Sequence, residues 1–146
     1  MVKIYVLELQ NGKFYVGKTE TPMQRITAHF AGRGSKWTKL HPPVEIVEVF
    51  EGDKFDEDKT TIQLMDEHGI DNVRGGTFSR LKLPAHDKLV LDRMINGAND
   101  QCFICGGNGH FAKNCELWPC QYCGKTFTTK KGARFHEVAY CKNKPR

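Results

Sequence analysis

The N-terminal two-thirds of the chain switches between two hydrophobic periods. In 3-KIYVLELQNGKFYVGKT-19 two β-rich runs flank Asn11-Gly12, which predicts a β-hairpin. A helical period follows in 21-TPMQRITAHFAG-32, where Thr21 suits the N-cap, Pro22 the first helical position and Gln24 a capping box. Gly32 ends that helix, Arg25 and His29 share one of its faces, and Ile26 and Phe30 share another. Alternation returns in 44-VEIVEVF-50, which predicts a half-buried strand. A second helix runs from Asp53 or Lys54 to His68 and stops at Gly69, with Phe55, Ile62 and Met65 as its core face. Residues 84-PAHDKLVLDRM-94 predict a third helix. The order hairpin–helix–strand–helix implies an α/β domain of the α+β kind, a small three-stranded antiparallel sheet with flanking helices over residues 1–95.

Residues 95-INGANDQ-101 are polar and without an apolar period, so 96–101 reads as a linker. Charge divides at the same place. Residues 1–99 hold 14 Lys+Arg and 14 Asp+Glu, net zero; residues 100–146 hold 8 and 3, net +5. All six cysteines of the 146-residue chain also lie in the tail. The N-terminus has no signal-peptide pattern, and no apolar run is long enough to span a bilayer. The expectation is therefore an intracellular protein of cytoplasm or nucleus, or a viral protein in its host, with no membrane partner. In that compartment free thiols favour metal over disulfides.

The cysteine spacings support metal. Cys102-x2-Cys105-x4-His110-x4-Cys115 brings four zinc-type donors together, and Gly106, Gly107 and Gly109 permit the bent backbone between them. Cys120-x2-Cys123-x12-His136-x4-Cys141 follows at once. Six cysteines and two of the six histidines fill two tetrahedra with none left over. A ribbon that pairs Cys102/Cys105 with Cys120/Cys123 is the alternative to sequential pairing. Two structural Zn²⁺ would supply most of the folding energy of so small a segment. Three thiolates per ion lower the tail's charge from +5 to about +3.

The first set, with its flanking "GHFAKNC", resembles the CCHC zinc knuckle of nucleocapsid-type proteins (residues 102–115). In that family an aromatic between the first two cysteines, here Phe103, stacks on an unpaired base. Phe103 and Phe111 equally suit a very small core or a protein contact. The second set (116–146) resembles a ββα zinc finger whose last histidine is cysteine. Phe127 occupies the expected core position. Ala133 stands where a leucine is expected, so either the core is weaker or Phe135 helps fill it. Lys130, Lys131 and Arg134 fall on the finger helix, where they suit nucleic-acid backbone contact or plain solvation.

Taken singly, Tyr5 is a packing residue, Arg25 and His29 a solvated face, and Glu57, between Asp56 and Asp58, a helix-dipole complement. Taken together they resemble the GIY-YIG nuclease superfamily. Ile4-Tyr5 and Tyr15-Val16-Gly17 stand for the two motifs, Arg25 and His29 follow Tyr15 by ten and fourteen residues, and Glu57 opens the second helix. Asn72 in "GIDNVRGG" matches a further polar position, and that phrase ahead of a zinc knuckle resembles the members in large DNA viruses. Lys3 departs from the glycine of the first motif. Both tyrosines serve one site in that family, which makes a demand on the hairpin. A two-residue turn would set Tyr15 opposite Glu8, away from Tyr5. A loop Gln10-Asn11-Gly12 with Gly12 left-handed sets Tyr15 opposite Leu7, on Tyr5's side. The odd loop or a bulge is expected.

The resemblance implies a divalent-metal-dependent DNA endonuclease that hydrolyses phosphodiesters. Glu57 would hold one Mg²⁺ or Mn²⁺, and Arg25 would bind the scissile phosphate. Tyr5 or Tyr15 would help activate water, with His29 assisting proton transfer or leaving-group stabilisation, and Lys18 and Asn72 would touch substrate. The partner would be DNA, branched or with unpaired bases, gripped by the basic tail because the first domain is neutral. The alternatives are a catalytically silent nucleic-acid-binding adaptor and a zinc tail used for protein interaction.

Overall fold

A computed structural model describes residues 2–102, 104–105, 107, 110 and 112–143. The chain separates into two compact units, Met1–Leu83 and Pro84–Arg146.

In the first unit β1 (Val2–Leu9) and β2 (Lys13–Thr19) pair antiparallel around the turn Gln10–Gly12. Asn11 and Gly12 take φ of 66° and 71°, and the register sets Leu7 opposite Tyr15 and Tyr5 opposite Gly17. This is the odd loop expected from the two tyrosines. Its consequence is a clean division of faces. Tyr5, Leu7, Leu9 and Tyr15 pack with Ile26 and Trp37 on one side, while Ile4, Val6 and Val16 pack with Val2, Phe14, Phe50 and Leu64 on the other.

The sheet has four strands, in the order β3-β1-β2-β4. β3 (Pro43–Gly52) is antiparallel to β1, and β4 (Val73–Gly75) runs parallel to β2. The fourth strand was not anticipated because Val73-Arg74-Gly75 is too short to show a period and has a charged residue at its centre. β3 was expected to be half-buried. As an edge strand whose register to β1 shifts twice, it leaves Val44, Ile46, Val47 and Val49 exposed.

Helix α1 (Pro22–Phe30) starts at the proline, but the capping box does not form. The Thr21 amide instead donates to Thr19 Oγ1 at 3.0 Å. The inward face of α1 is Ile26 and His29, whereas Phe30 is 46% exposed. A short helix α2 (Lys36–Leu40) was not foreseen; Ser35 Oγ caps it by accepting from the Thr38 amide at 3.2 Å, and Trp37 and Thr38 are buried. In α3 (Asp56–His68) Met65 is inward as expected and Thr61 joins it, but Phe55 precedes the helix and is exposed.

The second unit opens with α4 (Ala85–Ala98), which continues through Asn96, Gly97 and Ala98 of the polar stretch. Beyond it β5 (Trp118–Pro119) and β6 (Thr126–Phe127) pair antiparallel and α5 (Lys130–Ala139) follows, the ββα order expected of the finger. Thr129 Oγ1 caps α5 by accepting from the Gly132 amide. Ala133 is fully enclosed and the Phe127 ring lies 5.0 Å from that of His136. Phe135 is 60% exposed, so it does not fill the place of the missing leucine. Phe103, Phe111, Gly106 and Gly109 lie outside the described residues.

Candidate active site and zinc centres

The hairpin register and α1 bring four of the expected residues together. The Tyr5 hydroxyl is 2.8 Å from His29 Nε2, and the Tyr15 and His29 rings are 4.9 Å apart. Tyr5 and His29 are almost wholly enclosed and Tyr15 nearly so. Two glycines make the close approach possible. A Cβ on Gly17 would collide with the Tyr5 phenol, and one on Gly34 with His29 Nδ1. The glycine of the "YVG" motif thus clears the space in which the first-motif tyrosine sits.

The proton order in this cluster follows from its last member. Thr38 Oγ1 donates its one hydrogen to the Ser35 carbonyl at 3.0 Å. It can then only accept from His29 Nδ1, 2.9 Å away. In that hydrogen-bond order His29 is protonated on Nδ1 and its Nε2, 2.8 Å from the Tyr5 hydroxyl, is the acceptor; a Thr38 hydroxyl turned to donate to Nδ1 instead puts the proton on Nε2. Electrostatics agree with a neutral ring in either order. Burial, with Arg25 adding to it, brings His29 down to about 4, so the ring is neutral at pH 7. Burial also raises the Tyr5 phenol well above its ordinary value, with the neighbouring Tyr15 contributing and Arg25 opposing. Tyr15 is raised by burial and lowered partly by Arg25. The exposed Arg25 guanidinium is thus the cation beside both phenols.

Glu57 completes the group through its field on both phenols. Burial raises its carboxyl, Lys18 opposes the rise, and Asp58 adds to it. The structure distinguishes it from its neighbours. Asp56 Oδ2 accepts from the Asp53 amide at 2.8 Å, and Asp58 accepts from the Thr77 amide and hydroxyl at 2.7 and 2.8 Å. Among the described residues the Glu57 carboxylate has no hydrogen-bond donor. One half-buried, uncommitted carboxylate fits a Mg²⁺ or Mn²⁺ ion that takes its other ligands from phosphate and water.

Asn72 is placed elsewhere. Its Oδ1 accepts from Lys13 Nζ and its Nδ2 donates to the His68 carbonyl, both at 2.6 Å, and no contact among the described residues joins it to the tyrosines. Sequence reasoning missed Thr38 and Ser35, which are ordinary residues on an unforeseen helix. It also missed Arg74, whose 2% exposure marks a buried cation. Its guanidinium donates to the carbonyls of Ile70, Val73, Arg80 and Leu81 and lies 4.7 Å from the Trp37 ring.

In the tail the ligands gather sequentially. Cys102, Cys105, His110 and Cys115 form one cluster and Cys120, Cys123, His136 and Cys141 the other, each with its donor atoms within 4.8 Å of one another. The ribbon alternative is not adopted. Zinc bonds of about 2.0–2.3 Å in a tetrahedron separate adjacent ligand atoms by about 3.3–3.8 Å. Cys105 Sγ and His110 Nε2 are 3.4 Å apart, as are Cys123 Sγ and His136 Nε2, and Cys120 Sγ lies 3.6 Å from Cys141 Sγ. The donors thus fit zinc in kind, number and spacing. Amides prepare the thiolates: Ile104 donates to Cys102, Gly107 to Cys105 and Tyr122 to Cys120. At Cys102 burial works against the thiolate, yet the amides of Cys105 and Ile104 help bring it down to about 7.

Of the finger cations, Arg134 pairs with the buried Glu137, which also accepts from the Gln121 amide at 3.0 Å. Lys130 Nζ lies 5.7 Å from the Trp118 ring. Lys131 has neither kind of partner among the described residues.

These features define a chain with a GIY-YIG domain at its N-terminus and zinc-binding clusters, including a CCHC knuckle, near its C-terminus. Residues 1–63 match the GIY-YIG catalytic domain family and residues 100–116 the zinc knuckle family. The chain is 42% identical over 41 residues to a UPF0213 protein of Neisseria meningitidis serogroup A, covering 28% of this chain and 45% of that one. It is 36% identical over 44 residues to a UPF0213 protein of Streptococcus pneumoniae, covering 30% and 44%. A UPF0213 protein of Bacillus cereus is 40% identical over 57 residues, covering 39% and 55%. The chain spans about half the length of these relatives. No solved structure matches it significantly. No helix among the described residues is long and apolar enough to cross a membrane.

Proposed function

We propose that the protein is a divalent-metal-dependent endonuclease that hydrolyses DNA phosphodiester bonds. The observation that carries the reading is the buried chain Tyr5–His29–Thr38, with Arg25 beside the phenols and an uncommitted Glu57 carboxylate in their field. Arg25 binds the scissile phosphate through its two-pronged donor set. Lys18, exposed and near Glu57, holds a further phosphate oxygen. Glu57 holds Mg²⁺ or Mn²⁺, which when bound supplies charge neutralisation at the phosphate. Tyr5 is too weak an acid to stand as phenolate. It acts instead as a relay: its oxygen accepts a proton from the attacking water while its own proton passes to His29 Nε2. Thr38 keeps that nitrogen free. The water oxygen bonds to phosphorus, the bond to the leaving oxygen breaks and that oxygen takes a proton from solvent, while His29, held at about 4, releases the proton it gained back through Tyr5 to solvent, which restores the starting state. Tyr15, beside Arg25, orients the phosphate.

The zinc modules supply grip. Phe103 of the knuckle stacks on an unpaired base, and Lys131, with Lys130 and Arg134, meets the backbone. Asn72 acts indirectly, by tying Lys13 to the end of α3. The test incubates the protein and Mg²⁺ with labelled duplex, single strand, flap and four-way junction. Cleavage is expected in the parent and lost by orders of magnitude in Glu57→Gln, with folding and DNA binding retained. A variant that cuts like the parent removes Glu57 from the reaction.

One observation favours a second use of the tail. Helix α5 exposes Phe135 (60%) and Val138 (74%), and the exposed Tyr140 packs edge-on against Phe135, an apolar face suited to a protein partner.

A further inference from the structure

Beside Tyr15 lies a cleft of about 510 Å³ lined by Tyr15, Ser35, Lys36, Ser79, Arg80 and Leu81. Its size is within the range of about 300–1,000 Å³ that ligand sites occupy. The same buried cation secures both walls. Arg74 Nε donates to the Arg80 carbonyl at 2.7 Å and Nη2 to the Leu81 carbonyl at 3.2 Å, which pins the loop on one side. Its guanidinium also lies against Trp37, the residue after Lys36, and Trp37 Nε1 donates to the Phe14 carbonyl at 2.9 Å, which anchors α2 on the other. The cleft is therefore held open by a charge that makes four hydrogen bonds to backbone, not by loose loops.

Its chemistry is one-sided. Lys36 and Arg80 are exposed, and neither has an ion-pair partner among the described residues. Three other cations are committed, Lys3 to Glu51, Lys13 to Asn72 and Arg134 to Glu137. No carboxylate lines the cleft. Ser35 and Ser79 add hydroxyls, and Leu81, 42% exposed, adds an apolar surface. Two free cations and two hydroxyls suit a phosphate diester; the leucine suits the apolar face of a sugar. Tyr15 is shared with the candidate active site.

We infer that this cleft is a second phosphate–sugar subsite, which holds the nucleic-acid strand next to the bond presented to Arg25 and Tyr5. The inference rests on the endonuclease reading above and extends it to how the strand is held. It also gives a first unit of zero net charge a local cationic surface for a polyanion, Lys36 and Arg80 beside Tyr15.

The experiment uses the full chain with Lys36→Ala, Arg80→Ala and the double variant. Arg80→Ala keeps the carbonyl that Arg74 uses, and Lys54→Ala, outside the cleft, is the control. Binding to fluorescein-labelled flap DNA is followed by anisotropy across a salt series, with cleavage measured in parallel. Each single variant is expected to weaken binding several-fold at low salt and to reduce the slope of log affinity against log salt by about 0.7–0.9; the double variant should lose about twice that. The loss in cleavage should fall on KM. A double variant with the parent's affinity and slope overturns the subsite while the endonuclease reading stands if the parent still cuts. Salt-dependent binding through Lys36 and Arg80 without cutting of any substrate supports the subsite and overturns the endonuclease reading. Titration with thymidine 5′-monophosphate separates a strand from a free nucleotide. Loss of mononucleotide binding with DNA binding unchanged would overturn the strand as occupant.

Discussion

The two units are stabilised in different ways. The sheet unit buries Tyr5, Leu7, Leu9, Tyr15, Ile26 and Trp37 on one face and Ile4, Val6 and Val16 on the other, and its candidate site is cut from that core. The tail encloses few side chains, such as Leu91, Cys102, Cys120 and Ala133, and converges eight donors on two points. In the first, positioning a proton acceptor and burying a core are the same act, since His29 is wholly enclosed. In the second, metal affinity stands in for a core. Any treatment that acts on metal ligands should therefore divide the molecule, and any that acts on packing should divide it the other way.

The largest division should come from zinc removal. Structural zinc contributes about 10–16 kcal/mol in small modules. A strong chelator should unfold the clusters and leave the sheet unit intact. The two tryptophans, Trp37 in the sheet unit and Trp118 in the finger, allow this to be read separately in Trp37→Phe and Trp118→Phe chains. Elemental analysis should return two zinc ions per chain. A chelator that exposes Trp37 and Trp118 together would erase the distinction.

Gly17→Ala should act in the opposite sense. The added Cβ occupies the position of the Tyr5 phenol, and core overpacking costs about 1–3 kcal/mol. The Trp37 melt should fall, cleavage should be lost with the Tyr5–His29 bond, and zinc content should stay at two. An unchanged melt would mean that Tyr5 moves freely.

Acid should weaken the sheet unit through His29. His29 is held at about 4 against an ordinary 6.5, so the folded state disfavours the proton that the unfolded chain accepts. Its stability contribution is complete above about pH 6.5 and is lost as pH falls toward 4, a change of up to about 3 kcal/mol. Urea melts of the Trp118→Phe chain at pH 7, 5.5 and 4.5 should show the loss, and His29→Gln should flatten it. The same slope in His29→Gln would assign the loss to another group.

Thr38→Val should cost about 1–3 kcal/mol, the range for a buried donor left without an acceptor. Its value lies in proton order. The parent should show the Nδ1-protonated tautomer of His29 by nitrogen NMR; Thr38→Val should blur it and distort the pH profile of cleavage, and Thr38→Ser should restore both. A parent ring protonated on Nε2 would reverse the relay.

Sequence alone determined what depends on neighbours along the chain. The zinc ligands recur at fixed short spacings with a bendable backbone between them, so both clusters were legible before any fold was known. The hairpin register was reached only through the resemblance: Asn11-Gly12 by itself suggests a two-residue turn, and the demand that Tyr15 join Tyr5 on one face selected the three-residue loop that the fold adopts. Tertiary structure decided what depends on distant partners. Val73–Gly75 is a strand only because β2 offers it a free edge. Three adjacent acids look alike in sequence, and Glu57 is the uncommitted one only because Asp53 and Thr77 claim Asp56 and Asp58. His29 and Arg25 sit four residues apart on one helix, yet the sheet encloses the first and leaves the second in solvent. Thr38 and Arg74 carry no signal of their own; one acquires its role from an imidazole brought against it, the other from backbone carbonyls that only the folded chain collects around a single charge.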